Sequence, residues 1–507
     1  MNSASQEYPP LSSFPETGTP VHEKLTGYDL YRKLGSPKRI VAPMVEHSEL
    51  PWRILSRRHG AELVYSPMIN AKIYAQNNRG AKRVREAFFN KQFSEEGAAE
   101  IKIGDTSDTD RPLIVQFCAN DPDLLLKAAK TVEDRCDAID LNLGCPQQIA
   151  RRGFFGAFLQ EDWDLIFRLI NRLHLELRVP VTAKFRVFES VEKTVAYARM
   201  IERAGAQMVT VHGRTREMKG HKTGLADWDM IKAVKEALSV PVFANGNVMY
   251  PQDWRDALEY TGADGVMSAE GNLYIPSIFS DAFSTDLSQL SREDVDREAF
   301  KPLEITRIAN EYLDIVAGLE TPTSSAAIKG HMFKITRPAL AVHTDLRPVL
   351  GEARSREDVQ GEERIAAYRS FVRELERRLE EDRKKPEYYA PSQNSRYYIT
   401  PKHIADPDDR TTRPEFIPHW YLQPYFRPPL NPPKEEKKND AESSATAGDA
   451  VSVHKATSAP APAPEPAPEP APAPEPAPEP APPKRPADET PAAESEQEAK
   501  RARTDST

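Results

Sequence analysis

Between residues 40 and 271 the chain repeats one local pattern: a short run rich in apolar and β-branched residues, most often followed by a stretch of helical periodicity. The runs are IVAPMV (40–45), ELVYSPM (62–68), PLIVQFCA (112–119), AIDLNLGCP (138–146), PVTAKFRV (180–187), MVTVHGRT (208–215), PVFANGNV (241–248) and GVMSAEG (265–271). Strands apolar along their whole length are covered on both faces, as in a parallel sheet. The segments between, such as DPDLLLKAAKTVEDR from Asp121 and DWDLIFRLINRL from Asp162, are amphipathic and open with an acid where the helix dipole favours one. Eight such units predict an α/β fold, a TIM (β/α)8 barrel, over residues 31–290. The polar insert 85–110 reads as a surface excursion from it.

A short extension (1–30) precedes the barrel, and a smaller, mainly helical domain (291–385) follows. An aromatic and Pro-rich strap (386–432), containing PHWYLQPYFRP, is expected to fold back onto these domains. The remainder, 433–507, reads as disordered. From Asn431 onward there is no Leu, Ile, Met or aromatic residue, and 17 of the chain's 45 prolines lie there, mostly in Pro/Ala/Glu repeats that cannot bury a core. That tail holds 9 Lys+Arg against 15 Asp+Glu, so −6 of the net charge of −9 belongs to it. Binding to a polyanion therefore needs a local basic patch, because the overall field does not help. The stretch 323–349 is one: Lys329, Lys334, Arg337 and Arg347, with His331 and His343, face the single acid Asp345.

Cys118, Cys136 and Cys145 form no CxxC pair, which fits a reducing compartment. No apolar run is long enough for a membrane span, and the N-terminus does not read as a signal peptide. Lys484, Arg485, Lys500, Arg501 and Arg503 resemble a bipartite import signal, so a cytoplasmic or nuclear location is expected, and a monomer. The histidines are scattered without ligand spacing, so no metal is expected.

In a TIM barrel the chemistry gathers at the C-terminal ends of the strands. Met44, Gln116, Asn142, Cys145, Lys184, Arg186, His212, Arg214 and Asn245 all fall late in their runs, on six different strands, and so predict one polar rim. Runs seven and eight end in NGN (245–247) and SAEG (268–271), whose small residues let backbone amides approach a phosphate. Neither a G-x-G-x-x-G nor a P-loop motif is present.

APM (42–44), VQFCAN (115–120), DLNLGCPQ (140–147), AKFRV (183–187), VHGRT (211–215), ANGNV (244–248) and VMSAEGNL (266–273), in this order, closely resemble the tRNA-dihydrouridine synthases. The resemblance runs from about residue 38 to 345 and includes IKGHMFK (328–334); SAEG and PHWYLQPYFRP look most like the eukaryotic branch acting on uridines 16 and 17. It implies FMN as cofactor, NADPH or NADH as electron donor, and uridines in the D loop of tRNA as substrate.

By this resemblance Cys145 is the acid that protonates C5 of uracil. A thiol with an ordinary pKa near 8.5 is protonated at neutral pH and able to donate. The cofactor would be held by Pro43, Met44, Val45, Gln116, Lys184, His212, Asn245, Gly246, Asn247, Ala269 and Glu270, with Lys184 near the flavin N1–O2 edge. Glu270 stands where bacterial members carry an arginine, which leaves a phosphate there to backbone amides. Asn142, Arg186 and Arg214 would serve the base or a phosphate, and Lys329, Lys334 and Arg337 the RNA. The loop PQQIARRGFFGAFL (146–159) reads either as a mobile lid or as an ordinary connection. Two other classes stay open: a pyrimidine or dihydroorotate-type flavin oxidoreductase, and a non-catalytic RNA-binding scaffold.

Overall fold

Eight parallel strands close into a barrel in this computed structural model, which describes residues 8–76, 95–220, 223–281, 303–356, 358–385, 388 and 418–425. They are β1 (Arg39–Val41), β2 (Leu63–Tyr65), β3 (Leu113–Cys118), β4 (Ala138–Leu143), β5 (Val181–Arg186), β6 (Val209–His212), β7 (Val242–Asn245) and β8 (Gly265–Ser268). Each coincides with one of the eight runs read from the sequence, β1 starting a residue before its run. Each strand pairs with the next, and the ring closes where Arg39, Ile40 and Val41 of β1 register with Val266, Met267 and Ser268 of β8. A short ninth strand, Ile69–Asn70, adds to the end of β3. The tail and its basic clusters, and most of the strap, lie outside the described residues.

The helices start where local chemistry stops the preceding loop. Asp121, Asp162, Ser190 and Asp227 each accept a hydrogen bond from a backbone amide of the first turn that follows, covering donors the helix itself cannot satisfy. The apolar faces of these helices cover the outside of the barrel. Inside, Ile40, Ala42, Leu63, Ile114, Ala138, Met208, Phe243 and Met267 fill the lower half, and Leu30, Tyr31 and Leu34 plug it from below. Leu30 and Tyr31 belong to the helix Gly27–Lys33, which crosses the expected end of the N-terminal extension. Higher up, the inward positions turn polar. One period-two alternation thus gives a dry floor and a wet throat.

The insert differs from expectation. Its residues Ile101–Ile103 and Thr106–Asp108 form an antiparallel hairpin, with Ile101 and Ile103 buried and Ile103 against Gly318. Beyond the hairpin, Asp110 is fully buried and takes two hydrogen bonds from Arg53, at 2.8 and 2.6 Å. The polar composition of the insert concealed one buried carboxylate and two buried isoleucines in its described part, 95–110.

After the barrel come the helices Ile305–Gly318, Ser325–Ile335, Arg337–Val342, Leu346–Glu352 and Glu362–Asp382. They share one continuous hydrophobic core with the barrel. At the junction, the Trp52 ring stacks on His331 with centroids 3.8 Å apart, and Trp52 Nε1 donates to Asn272 Oδ1 just beyond β8. Glu49 accepts from the Tyr312 hydroxyl (2.8 Å) and lies 2.8 Å from His331 Nε2. Segment 418–425 buries Trp420, Tyr421 and Leu422 and exchanges backbone hydrogen bonds with Leu303 and Ile305.

Removing one partner of a buried ion pair leaves the other charged and unpaired. Asp110→Ala is therefore expected to destabilise the protein by about 3–5 kcal/mol, read from urea unfolding. A loss under about 1 kcal/mol would mean that Arg53 reaches water.

Candidate active site

Cys145 follows β4, separated from it only by Gly144. Its amide donates to Asn142 Oδ1 at 2.9 Å, and the Gly144 amide donates to the same oxygen at 3.1 Å. Asn142 Nδ2 donates to Gln116 Oε1 at 2.8 Å, and Gln116 Nε2 to Asp140 Oδ2 at 2.8 Å. The other Asp140 oxygen accepts from the Thr182 hydroxyl at 2.7 Å. These side chains come from adjacent strands at inward positions, so the barrel register makes them a chain. Burial raises the Asp140 carboxyl to about 6, opposed by the hydrogen bonds from Thr182 and Gln116. Asp140 escaped the sequence reading because, within an apolar run, it looked like an ordinary strand residue. An acid at an inward position, two residues below Asn142, was the available signal.

Burial also pushes the Cys145 thiol up from its ordinary range, more than the nearby Arg186, Lys184 and Lys219 lower it. The thiol is accordingly protonated at neutral pH. Gly156 closes against it: at φ +64°, a Cβ there would lie 2.9 Å from the Cys145 carbonyl oxygen. The loop forms a helix, Gln148–Gly153, and a tight turn, Gly156–Leu159, whose Phe155, Ala157 and Leu159 are buried. Its first part exposes Ile149, Arg151, Arg152 and Phe154 beside the thiol. Phe154 also holds a left-handed backbone (φ 48°), a conformation costly for an aromatic residue.

The arginines expected to meet substrate also hold neighbouring backbone. Arg186 donates to the carbonyls of Gly144, Thr215 and Met218. Burial lowers it to about 10, which leaves it charged. Arg214 donates to the carbonyls of Thr223 and Gly224 and to Asn247 Oδ1. Its Nη1 also donates to His212 Nε2 at 3.1 Å. Burial and the cations Arg186, Lys184 and Arg214 hold His212 far below its ordinary pKa, so the imidazole is neutral with its proton on Nδ1. Lys184 donates to Asn245 Oδ1 at 2.8 Å; burial, with Arg186, lowers it to about 7.

A cavity opens next to the residues that follow Cys145, lined by Pro146, Gln147, Arg186, His212, Arg214, Lys219, Asn245, Gly246, Asn247, Met267, Ala269, Glu270 and Gly271 among others. Gly246, at φ +122°, has Ala226 at the position of a Cβ, and a Cβ on Gly271 would strike the Val248 carbonyl. Pro43, Met44 and Val45 form the rim beyond β1, where Ser48 Oγ accepts from the Met44 amide. Gln116 is fully buried below the rim. Sequence reading missed the loop after β6: Met218, Lys219, Gly220 and Thr223 line the cavity, and Lys219 Nζ donates to the Pro146 carbonyl. Its signal was MKG (218–220) ahead of the next helix.

The basic stretch 323–349 divides. His331 is buried at the junction, and Lys334 is bonded to His47 at 2.6 Å. Lys329 donates to the Gly351 carbonyl, while Arg337 stacks on Tyr425 (4.2 Å) and nears Tyr274 (5.9 Å). Lys334 and Arg337 thus lie beside the barrel loops, and Lys329 lies further along the helices.

A model of the family described as "Dihydrouridine synthase (Dus)" matches residues 40–371. The chain belongs to the dihydrouridine synthase family. It is 51% identical over 331 residues to a Saccharomyces cerevisiae protein named tRNA-dihydrouridine(16/17) synthase [NAD(P)(+)], covering 65% of this chain and 72% of that one. A Schizosaccharomyces pombe protein of the same name is 43% identical over 408 residues, covering 80% and 91%. Similarity to a human tRNA-dihydrouridine(20a/20b) synthase [NAD(P)+]-like protein is lower, 33% over 256 residues, covering 50% and 74%.

If the Asp140 chain positions Cys145, its shape and hydrogen bonds matter more than its charge. Asp140→Asn is expected to keep turnover within a few-fold, because an amide can accept from Gln116 and meet Thr182. Asp140→Leu strands both partners and is expected to lower kcat by roughly 10–100-fold, on the scale of about 1–3 kcal/mol for unsatisfied buried groups. Equal kcat for the two variants would remove the positioning role.

Proposed function

We propose that this protein reduces uridine to 5,6-dihydrouridine in the D loop of tRNA, at positions 16 and 17, using bound FMN and NADPH or NADH as the electron source. One observation carries the mechanism: the Cys145 backbone is held at the end of β4, directly before Pro146 and Gln147, which line a cavity together with Arg186, Arg214 and Lys219. The names of the two yeast relatives support the reaction class and the positions.

The cavity suits a flat, phosphate-bearing cofactor. Arg186, Arg214 and Lys219 line it against one carboxylate, Glu270, so its field favours an anion. Gly246 and Gly271 keep backbone close to it on the β7 and β8 side, while Met218, Val248 and Met249 offer apolar surface to a ring system. Lys184 and neutral His212 would hold FMN from below, with Asn245, Asn247 and the amides around Ala269 toward its phosphate. When bound, FMN supplies the hydride that adds to C6 of uracil.

The protein's part is the proton. Cys145 donates it to C5, which completes saturation of the C5=C6 bond and leaves a thiolate. Arg186, Lys184 and Lys219 lie close enough to favour that thiolate until solvent reprotonates it. Asn142 and Arg186 act below the reacting atoms: one holds the Cys145 amide and the other the Gly144 carbonyl, so the strand end cannot swing. A stacked uridine must leave the RNA to reach this depth. Exposed Phe154 and Ile149, with Arg151 and Arg152, present an apolar and cationic edge to the RNA there. Arg337 and Lys334 extend it toward the helices.

Cys145→Ala is expected to abolish dihydrouridine in tRNA digests by mass spectrometry while flavin-dependent NADPH oxidation persists, since flavin reduction needs no thiol. Normal dihydrouridine in that variant would sink the assignment. Arg337→Glu with Arg347→Glu is expected to weaken tRNA binding and to lower the salt dependence of log K by about 0.7–0.9 for each phosphate that is no longer neutralised. Efficient reduction of free uridine, indifferent to these reversals, would instead favour a small-molecule enzyme.

A further inference from the structure

Three side chains distant in sequence converge outside the barrel. His343 follows the helix Arg337–Val342, Asp382 ends the helix Glu362–Asp382, and His419 belongs to segment 418–425. His343 Nε2 lies 2.8 Å and His419 Nε2 2.9 Å from the same oxygen, Asp382 Oδ2. All three ligating atoms fall within 4.8 Å of one another. Asp382 is 1% exposed and His419 9%, whereas His343 is only half-buried and leaves one side open for entry.

We propose that His343, Asp382 and His419 bind a divalent first-row metal ion of the zinc type, which fastens segment 418–425 to the helical region. Two imidazole nitrogens and a carboxylate oxygen form a donor set that zinc accepts, with water completing the shell. Ligands about 2.1 Å from a tetrahedral zinc stand roughly 3.4 Å apart, so the two separations from Asp382 need to open by about 0.5 Å, while the imidazole nitrogens already lie within 4.8 Å of each other. Small side-chain rotations supply that.

The surroundings also hold the carboxylate in place. Lys385 Nζ donates at 2.8 Å to the other oxygen, Oδ1, and so orients the carboxylate as an outer partner does in metal sites. Its charge also weakens the field for a cation, which favours a site of moderate affinity.

A metal there would close the chain between Asp382 and His419 and hold Trp420, Tyr421 and Leu422 in place. Spacing could not show it, because the ligands stand at 343, 382 and 419 with no local motif.

The test uses the full chain without a polyhistidine tag, stripped by a chelator and dialysed against zinc. Mass spectrometry of the metal is expected to give about one zinc per chain, with X-ray absorption showing two imidazole ligands. The Tm should rise with zinc concentration, as linkage requires. In His343→Gln with His419→Gln each amide can still donate to Asp382 but ligates poorly. That variant should keep the wild-type circular dichroism and lose zinc affinity by at least about tenfold. Wild-type protein that retains no stoichiometric zinc would overturn the proposal, as would absorption lacking imidazole. Undiminished zinc in the double variant would do the same. The wild-type measurements stand alone if the variant fails to fold.

Discussion

The chemistry of this barrel depends on one buried line of hydrogen bonds, from Thr182 through Asp140, Gln116 and Asn142 to the backbone amide of Cys145. Each link needs the previous one in the correct orientation. The Asp140 oxygens only accept, so Gln116 must turn its amide nitrogen toward them, and its oxygen is left for Asn142. Asn142 must then present its own oxygen to Gly144 and Cys145. The amide assignments follow from the carboxylate, and the thiol's position follows from the amides. Side chains in such a network are costly to leave half-satisfied, which makes the line rigid as well as specific.

Arginines frame the same region from above. Arg186 ties the Gly144 carbonyl to the loop after β6, and Arg214 ties that loop to Asn247. They act first as brackets between neighbouring strand ends and only then as sources of positive potential. The junction with the helices works similarly. Trp52 touches His331 on one side and Asn272 on the other, so the segment after β8 and the helical region share a single anchor. Packing therefore sets where the helices stand relative to the barrel loops.

Most of the barrel was legible because its strands are buried on both faces and its helices carry acidic caps, both of which leave strong local signals. The rim was legible too, since polar residues at the ends of apolar runs are unusual. What could not be read was the division of labour among them. Gln116 and Asn142 look like ligand-binding amides in sequence, and the hydrogen bonds they make to each other and to Cys145 could not be read there. Arg186 and Arg214 look like substrate contacts in sequence, and the structure adds that they also brace neighbouring strand ends. The buried bond between Arg53 and Asp110 was hidden by the polar insert around it, because sequence records polarity but not the partner that satisfies it. The same reason explains the division of the basic stretch, where His331 went inside and Arg337 stayed out.

In the proposed reaction Cys145 delivers its proton as a thiol whose pKa is raised by burial. The most direct measurement is the pH dependence of a single turnover, mixing anaerobically pre-reduced enzyme with tRNA and following reoxidation of the flavin. The protonated form is the active one, so the rate should stay level through the neutral range and fall only above about pH 8.5, the ordinary thiol value. A rate that rises through that range, or that already falls through pH 7, would contradict the account.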